Sequence, residues 1–132
     1  MENVTVNGGF GEKPVLEFTG AEASPELVIE VLEKGDGPEI EPGDQIVADY
    51  LGQVWNGEVF DNSFDRGQPL AFQIGVGMVI SGWDEGLIGQ TIGSRVLLSI
   101  PSDKGYGDRG VPQAGIKGGD TLVFVTDIVD VA

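Results

Sequence analysis

The run Asp61-Asn62-Ser63-Phe64-Asp65-Arg66-Gly67 mixes carboxylate, amide, hydroxyl and guanidinium groups within seven positions. It has the flavour of a calcium loop, but the oxygen ligands do not fall at the required spacing and no closing Glu is correctly placed. Asp84 and Glu85 could pose as a catalytic carboxylate pair. Adjacent helix positions do not face each other, so a solvated acidic first turn is the better reading. Gly75-Val76-Gly77 imitates the start of a dinucleotide fingerprint, yet Ile80 stands where the third glycine is needed and no βαβ pattern follows. The chain has no His and no Cys. That removes the usual near-neutral proton shuttle, thiol catalysis, disulfides and thiolate metal ligands together. The serines have no base beside them and no serine–lysine pair emerges. No metal and no other cofactor is expected.

What remains is aromatic. Tyr50, Phe60, Phe72, Trp83, Tyr106 and Phe124 each sit on or beside an expected strand, helix or turn. Six such side chains could simply pack as a core. Two features point instead to a recess open to solvent. Tyr106 lies in the polar turn Lys104-Gly105-Tyr106-Gly107-Asp108, which would expose it, and Phe60 is followed at once by Asp61, with Asp65 and Arg66 close behind. An apolar, aromatic-lined cavity with a few polar groups at its rim is the usual form of a ligand site. The stretch VISGWDEGLIG, residues 79–89, adds a large rigid indole among glycines in a chain with only 2 tryptophans.

The elements that must position these groups belong to one domain, since 132 residues suffice for a single core. Residues 1–24 form an acidic, glycine-punctuated extension that could add one edge strand. From Leu27 to Leu32 the pattern is strand-like, as it is at Gln45–Tyr50, Leu70–Ile74, Val96–Ile100 and Thr121–Val131. Asn56-Gly57 between two strand-like runs predicts a hairpin with a primed turn. One helix is expected, over about Ser81–Ile88, with Trp83 and Leu87 on one face. The fold class is therefore α+β: five or six antiparallel strands with one short helix covering the sheet.

Charge narrows the partners. Seven basic against 22 acidic residues give a net charge of −15, which repels phosphate backbones and anionic lipid, so neither nucleic acid nor a membrane is expected as a partner. No apolar run reaches membrane-spanning length and the N-terminus lacks a basic-then-apolar signal, so a cytoplasmic monomer is expected.

Taken in register over residues 25–132, the chain resembles the FK506-binding protein family, the FKBP-type peptidyl-prolyl isomerases. The likeness is carried by Gly43-Asp44, Tyr50-Leu51-Gly52, Val59-Phe60-Asp61-Asn62-Ser63 and Pro69-Leu70-Ala71-Phe72-Gln73-Ile74-Gly75. It continues through Val79-Ile80-x-Gly82-Trp83-x-x-Gly86, Gly93-Ser94-Arg95, Ile100-Pro101, Tyr106-Gly107 and Leu122-Val123-Phe124. The resemblance implies a pocket between helix and sheet with Trp83 as its floor and Tyr50, Phe60, Phe72 and Phe124 as its walls. It implies a lip at Val79 and Ile80, whose Ile80 N–H would donate to a substrate carbonyl, and a second donor in the Tyr106 hydroxyl. Ile116 would close one side. Asp61 would be the rim carboxylate, with Arg66 and Tyr50 as partners.

The implied activity is cis–trans isomerisation of X–Pro bonds in proline-containing polypeptides, with FK506- or rapamycin-like macrocycles as further ligands. The alternative is a module that binds proline segments or macrocycles without catalysis. Two departures bear on ligand preference. Leu70 stands where many members carry an aromatic, and Ile116-Lys117-Gly118-Gly119 replaces the common Ile-Pro-Pro.

Overall fold

The computed structural model of the chain describes residues 1–131. Its strands are β1 (Val4–Asn7), β2 (Val15–Phe18), β3 (Val28–Glu33), β4 (Gln45–Val54) and β5 (Val59–Asn62), followed by a one-turn helix α1 (Ser63–Arg66). Then come β6 (Leu70–Gln73), helix α2 (Ser81–Leu87), β7 (Arg95–Ile100) and β8 (Leu122–Val131). Strands β3 to β8 make a six-stranded sheet in the order β3-β7-β8-β4-β5, every pairing antiparallel, with β6 also bonded to β4. Strands β5 and β6 share one edge of β4: β5 pairs with Leu51–Gln53 and β6 with Gln45–Ala48. The α+β class and the antiparallel sheet over a short helix are as expected.

The β-branched run of β8 lies at the centre because it is buried on both faces; its first seven residues and all six of β7 are buried. Alternation then sorts two cores. Ile46, Ala48, Tyr50, Val96, Leu98, Ile100, Leu122, Phe124 and Ile128 face α2, with Trp83 and Leu87 packed on them. Helix α2 comes very close to β7. A methyl group at Gly82 would lie 2.6 Å from Ile100 Cγ2, and one at Gly86 would lie 2.7 Å from Leu98 Cδ2. Glycine costs a helix about 1 kcal/mol relative to alanine, and here that cost admits the close approach.

The N-terminal segment departs from expectation. It adds no edge strand to the main sheet. Strands β1 and β2 pair with each other as a separate two-stranded sheet. Val4 and Leu16 of this hairpin join Leu51, Leu97, Val123 and Val125 in a second core on the side away from α2. The boundary at residue 24 therefore divides segments that share one apolar layer. Over that layer the fully buried Arg95 pairs with Asp127 through Nε–Oδ1 at 2.7 Å and Nη2–Oδ2 at 3.0 Å. The hairpin tip completes the coordination: Arg95 donates to the Gly8 and Glu12 carbonyls, and the Gly11 N–H donates to Asp127.

Two local expectations are also corrected. The β4–β5 turn is closed by Gly57 N–H donating to the Val54 carbonyl, with Asn56 at φ +57. The central residues of this turn are Trp55 and Asn56, and only Asn56 is left-handed, whereas a primed type I turn requires positive φ at both. The second correction is α1, which had no counterpart in the sequence reading. Four residues show no apolar periodicity, and the turn is held by its caps: Asn62 Oδ1 accepts from Asp65 N–H at 2.8 Å, and Gly67 ends it in the left-handed region. No helix among the described residues is long and apolar enough to cross a membrane.

Candidate active site

The cavity between α2 and the sheet, about 390 Å³, is lined by Tyr50, Phe60, Asp61, Leu70, Met78, Val79, Ile80, Trp83, Tyr106 and Phe124. Trp83 forms its floor because the buried face of α2 turns the indole down onto the sheet, leaving it 4% exposed. The ring is boxed by aromatic neighbours: Tyr50 at 5.4 Å and 82°, Phe124 at 5.3 Å and 78°, and Phe72 at 5.2 Å and 46°. The two edge-to-face contacts, with Tyr50 and Phe124, each add about 0.5–1.5 kcal/mol beyond burial. The indole N–H is buried without a hydrogen-bond partner, so packing alone fixes the floor.

One wall depends on a missing side chain. Gly52 of β4 stands directly across from Phe124 of β8 and from Asp61 of β5. A methyl group there would come within 2.6 Å of Phe60 Cζ and 2.7 Å of Phe124 Cε1. The two phenyl rings meet over it edge-on at 5.6 Å.

The polar rim is a closed triangle. The Tyr50 hydroxyl donates to Asp61 Oδ2 at 2.5 Å, Arg66 Nη1 donates to Asp61 Oδ1 at 2.5 Å, and Arg66 Nη2 donates to the Tyr50 oxygen at 3.0 Å. Helix α1 brings Arg66 back toward the strand it left. Its first residue, Ser63, is fully buried and fastens the turn to β4, accepting from Tyr50 N–H at 2.8 Å and donating to Asp49 Oδ1 at 2.7 Å. Burial holds the Tyr50 phenol above its ordinary range, and the bond to Asp61 pushes it further the same way. Arg66 is raised by its bonds to Tyr50 and then to Asp61. Both groups therefore keep their protons at neutral pH.

Two donors belonging to residues of the lining are unpaired. Neither the Ile80 N–H nor the Tyr106 hydroxyl has an acceptor among the described residues, and Tyr106 is 40% exposed. The lip carrying Ile80 is held by a residue that the sequence reading set aside as solvated. Asp84 accepts from Gly75 N–H at 2.7 Å and from Gly77 N–H at 3.1 Å. It thereby ties the loop from Gly75 to Ile80 to the helix that bears the floor.

Of the residues singled out from sequence, Tyr50, Phe60, Asp61, Leu70, Val79, Ile80, Trp83, Tyr106 and Phe124 all line this cavity. Phe72, Ile116 and Arg66 do not. Phe72 shares a face of β6 with Leu70 but lies deeper, 3% exposed beneath the indole. Ile116 is 2% exposed within the core, where its backbone closes a two-bond bridge with Val111. Arg66 reaches the site only through Asp61 and Tyr50. Met78 was missed: among the aliphatic and glycine residues Ile74–Ile80 nothing marks it from sequence, yet it stands at the mouth, 65% exposed.

Residues 37–129 match a family model described as FKBP-type peptidyl-prolyl cis-trans isomerase. The chain is 46% identical over 121 residues to an FK506-binding protein of Streptomyces anulatus, a match covering 91% of this chain and 98% of that one. It is 42% identical over 119 residues to the peptidyl-prolyl cis-trans isomerase FKBP2 of Homo sapiens, covering 89% and 83%. The crystal structure of AtFKBP13 aligns with a TM-score of 0.75 at 39% identity, over 80% of this chain and 93% of that one. With the indole-floored cavity, the hydroxyl–carboxylate–guanidinium rim and this extent of likeness in hand, the chain belongs to the FKBP-type peptidyl-prolyl cis-trans isomerase family.

Proposed function

We propose that the cavity takes the proline ring of a polypeptide against Trp83 and speeds rotation about the bond before it by favouring the twisted amide. The observation that carries this is the open, aromatic-walled recess with two unpaired donors in its lining, whose one carboxylate, Asp61, is taken up by hydrogen bonds from Tyr50 and Arg66. Such a reaction needs no nucleophile or base, because no bond is broken. The barrier of about 20 kcal/mol is the resonance lost when the C–N bond turns. Catalysis requires only that the turned state be held better than either planar one.

An apolar recess contributes by desolvation: the planar amide carries more charge separation than the twisted one and loses more on leaving water. The Ile80 N–H and the Tyr106 hydroxyl fix the carbonyls flanking the rotating bond, so that rotation begins from a set geometry. The Tyr50–Asp61–Arg66 triangle keeps one polar edge in place beside the ring. A rate gain of about 10⁶-fold corresponds to about 8 kcal/mol, which is within reach of desolvation and two directed hydrogen bonds. The same recess accommodates the pipecolyl ring of FK506- and rapamycin-like macrocycles, and the relative from Streptomyces anulatus bears the name FK506-binding protein. A non-catalytic module is the less favoured reading, since relatives spanning most of this chain are named isomerases.

The test is magnetisation exchange between cis and trans forms of a short Leu–Pro peptide. The protein is expected to accelerate exchange, and Asp61→Val and Phe124→Tyr to slow it. Tight binding of a prolyl ligand with no acceleration would assign the chain to the non-catalytic reading.

A further inference from the structure

We propose that Met78 is a site of reversible oxidation by peroxides and that its sulfoxide lowers the affinity of the pocket for proline-containing ligands. The affinity claim rests on the pocket being the proline site described above.

The chain contains 2 sulfur atoms, in Met1 and Met78, and no cysteine. They lie in opposite settings. The Met1 side chain is 5% exposed and packs against the second core, on the face away from the pocket. Met78 is 65% exposed and lines the cavity mouth beside Val79 and Ile80. The other oxidisable group of the site, the Trp83 indole, is shielded at 4% exposure. Met78 therefore offers the one exposed sulfur among the described residues.

Its location is held. The loop cannot drift from the mouth, because the Asp84 carboxylate binds the Gly75 and Gly77 N–H groups on either side of Val76, and both glycines adopt the positive φ that such a turn requires. The backbone is tied while the thioether is exposed, and methionine's unbranched, polarisable side chain suits an adaptable apolar contact.

The chemistry balances without a cofactor. The sulfur lone pair attacks one oxygen of a peroxide, the O–O bond breaks, and that oxygen stays on sulfur. With hydrogen peroxide the other oxygen leaves as water with both protons. Sulfur loses two electrons and the peroxide gains them. The product is polar and chiral, and thiol-dependent sulfoxide reductases reverse it. An S=O dipole at the mouth must be desolvated when an apolar residue beside the proline docks, so affinity is expected to fall about threefold to tenfold.

The experiment treats the whole protein with limiting hydrogen peroxide and maps the added oxygen by peptide mass. Oxygen is expected on Met78 before Met1. Titration with a prolyl ligand, followed by tryptophan fluorescence, should show Kd raised threefold to tenfold, and methionine sulfoxide reductase with dithiothreitol should restore it. In peptide exchange the same change should fall on KM rather than kcat. Met78→Leu, compared with its own untreated state, should be insensitive to peroxide, and Met78→Gln should raise Kd without treatment. Preferential oxidation of Met1, or complete oxidation of Met78 with Kd unchanged, overturns the proposal. If the untreated protein accelerates no exchange, the isomerase reading fails, while the fluorescence titration still decides the role of Met78.

Discussion

Tyr50 donates its phenolic proton to Asp61 over 2.5 Å while Arg66 holds both oxygens from the solvent side. The charges around this phenol oppose one another: burial and Asp61 favour the protonated form, and Arg66 favours the phenolate. The chain has only 2 tyrosines, so Tyr106→Phe leaves Tyr50 as the sole phenol to report. Its absorbance titration near 295 nm is expected above the ordinary value of about 10. Asp61→Val should bring it down and Arg66→Ala should drive it further up. The stability sign follows from linkage. A group whose folded value is raised contributes stability that is complete below the unfolded value, and that stability is lost as pH climbs through the folded one. Denaturation in the alkaline range should therefore be flat below about pH 10 and fall above it. A Tyr50 titration at or below that of an unfolded control would contradict the triangle.

Gly52 is predicted to be intolerant of the smallest enlargement. Its place opposite Phe124 leaves under 3 Å for a new carbon against two phenyl rings. Overpacking of this kind costs about 1–3 kcal/mol. Because the rings that must yield are the cavity walls, Gly52→Ala should reduce kcat/KM about tenfold as the walls shift inward. Urea denaturation and peptide exchange measured together separate the two effects. Normal exchange in Gly52→Ala would mean that the rings move outward and the recess survives.

Most of the site was legible because it is built from residue types that carry their chemistry openly. Trp83 among glycines, the alternating apolar positions of β4, β7 and β8, and Asp61 beside Phe60 point to a walled recess before any coordinates. What was hidden depends on depth and juxtaposition. Phe72 and Leu70 share one face of β6, and the two-residue period says nothing about which lies under the indole. Gly52 matters only because a strand pairing sets Phe124 across from it. Asp84 binds amides seven and nine residues away, a contact that no helical spacing encodes. Helix α1 is too short for periodicity, and the N-terminal hairpin conceals its role because polar, glycine-rich sequence gives no sign of the buried ion pair that its tip completes.

That ion pair sets the last prediction. Arg95 and Asp127 are both fully buried, and their remaining valences go to the hairpin tip at Gly8, Gly11 and Glu12. Removing one partner leaves the other charge buried without compensation, which costs about 3–5 kcal/mol. Asp127→Ala and Arg95→Ala should each lose roughly that amount in urea denaturation. The double variant should lose clearly less than the sum, since no lone charge remains. Deletion of residues 1–20 should be more damaging than either single change. It uncovers Leu51, Leu97, Val123 and Val125 as well as stripping the pair of its backbone partners. Below the unfolding transition the single variants should retain their isomerisation rate, because the pair lies on the face of the sheet away from Trp83. Additive losses would show that the hairpin is held by its apolar contacts and that the pair contributes nothing as a unit.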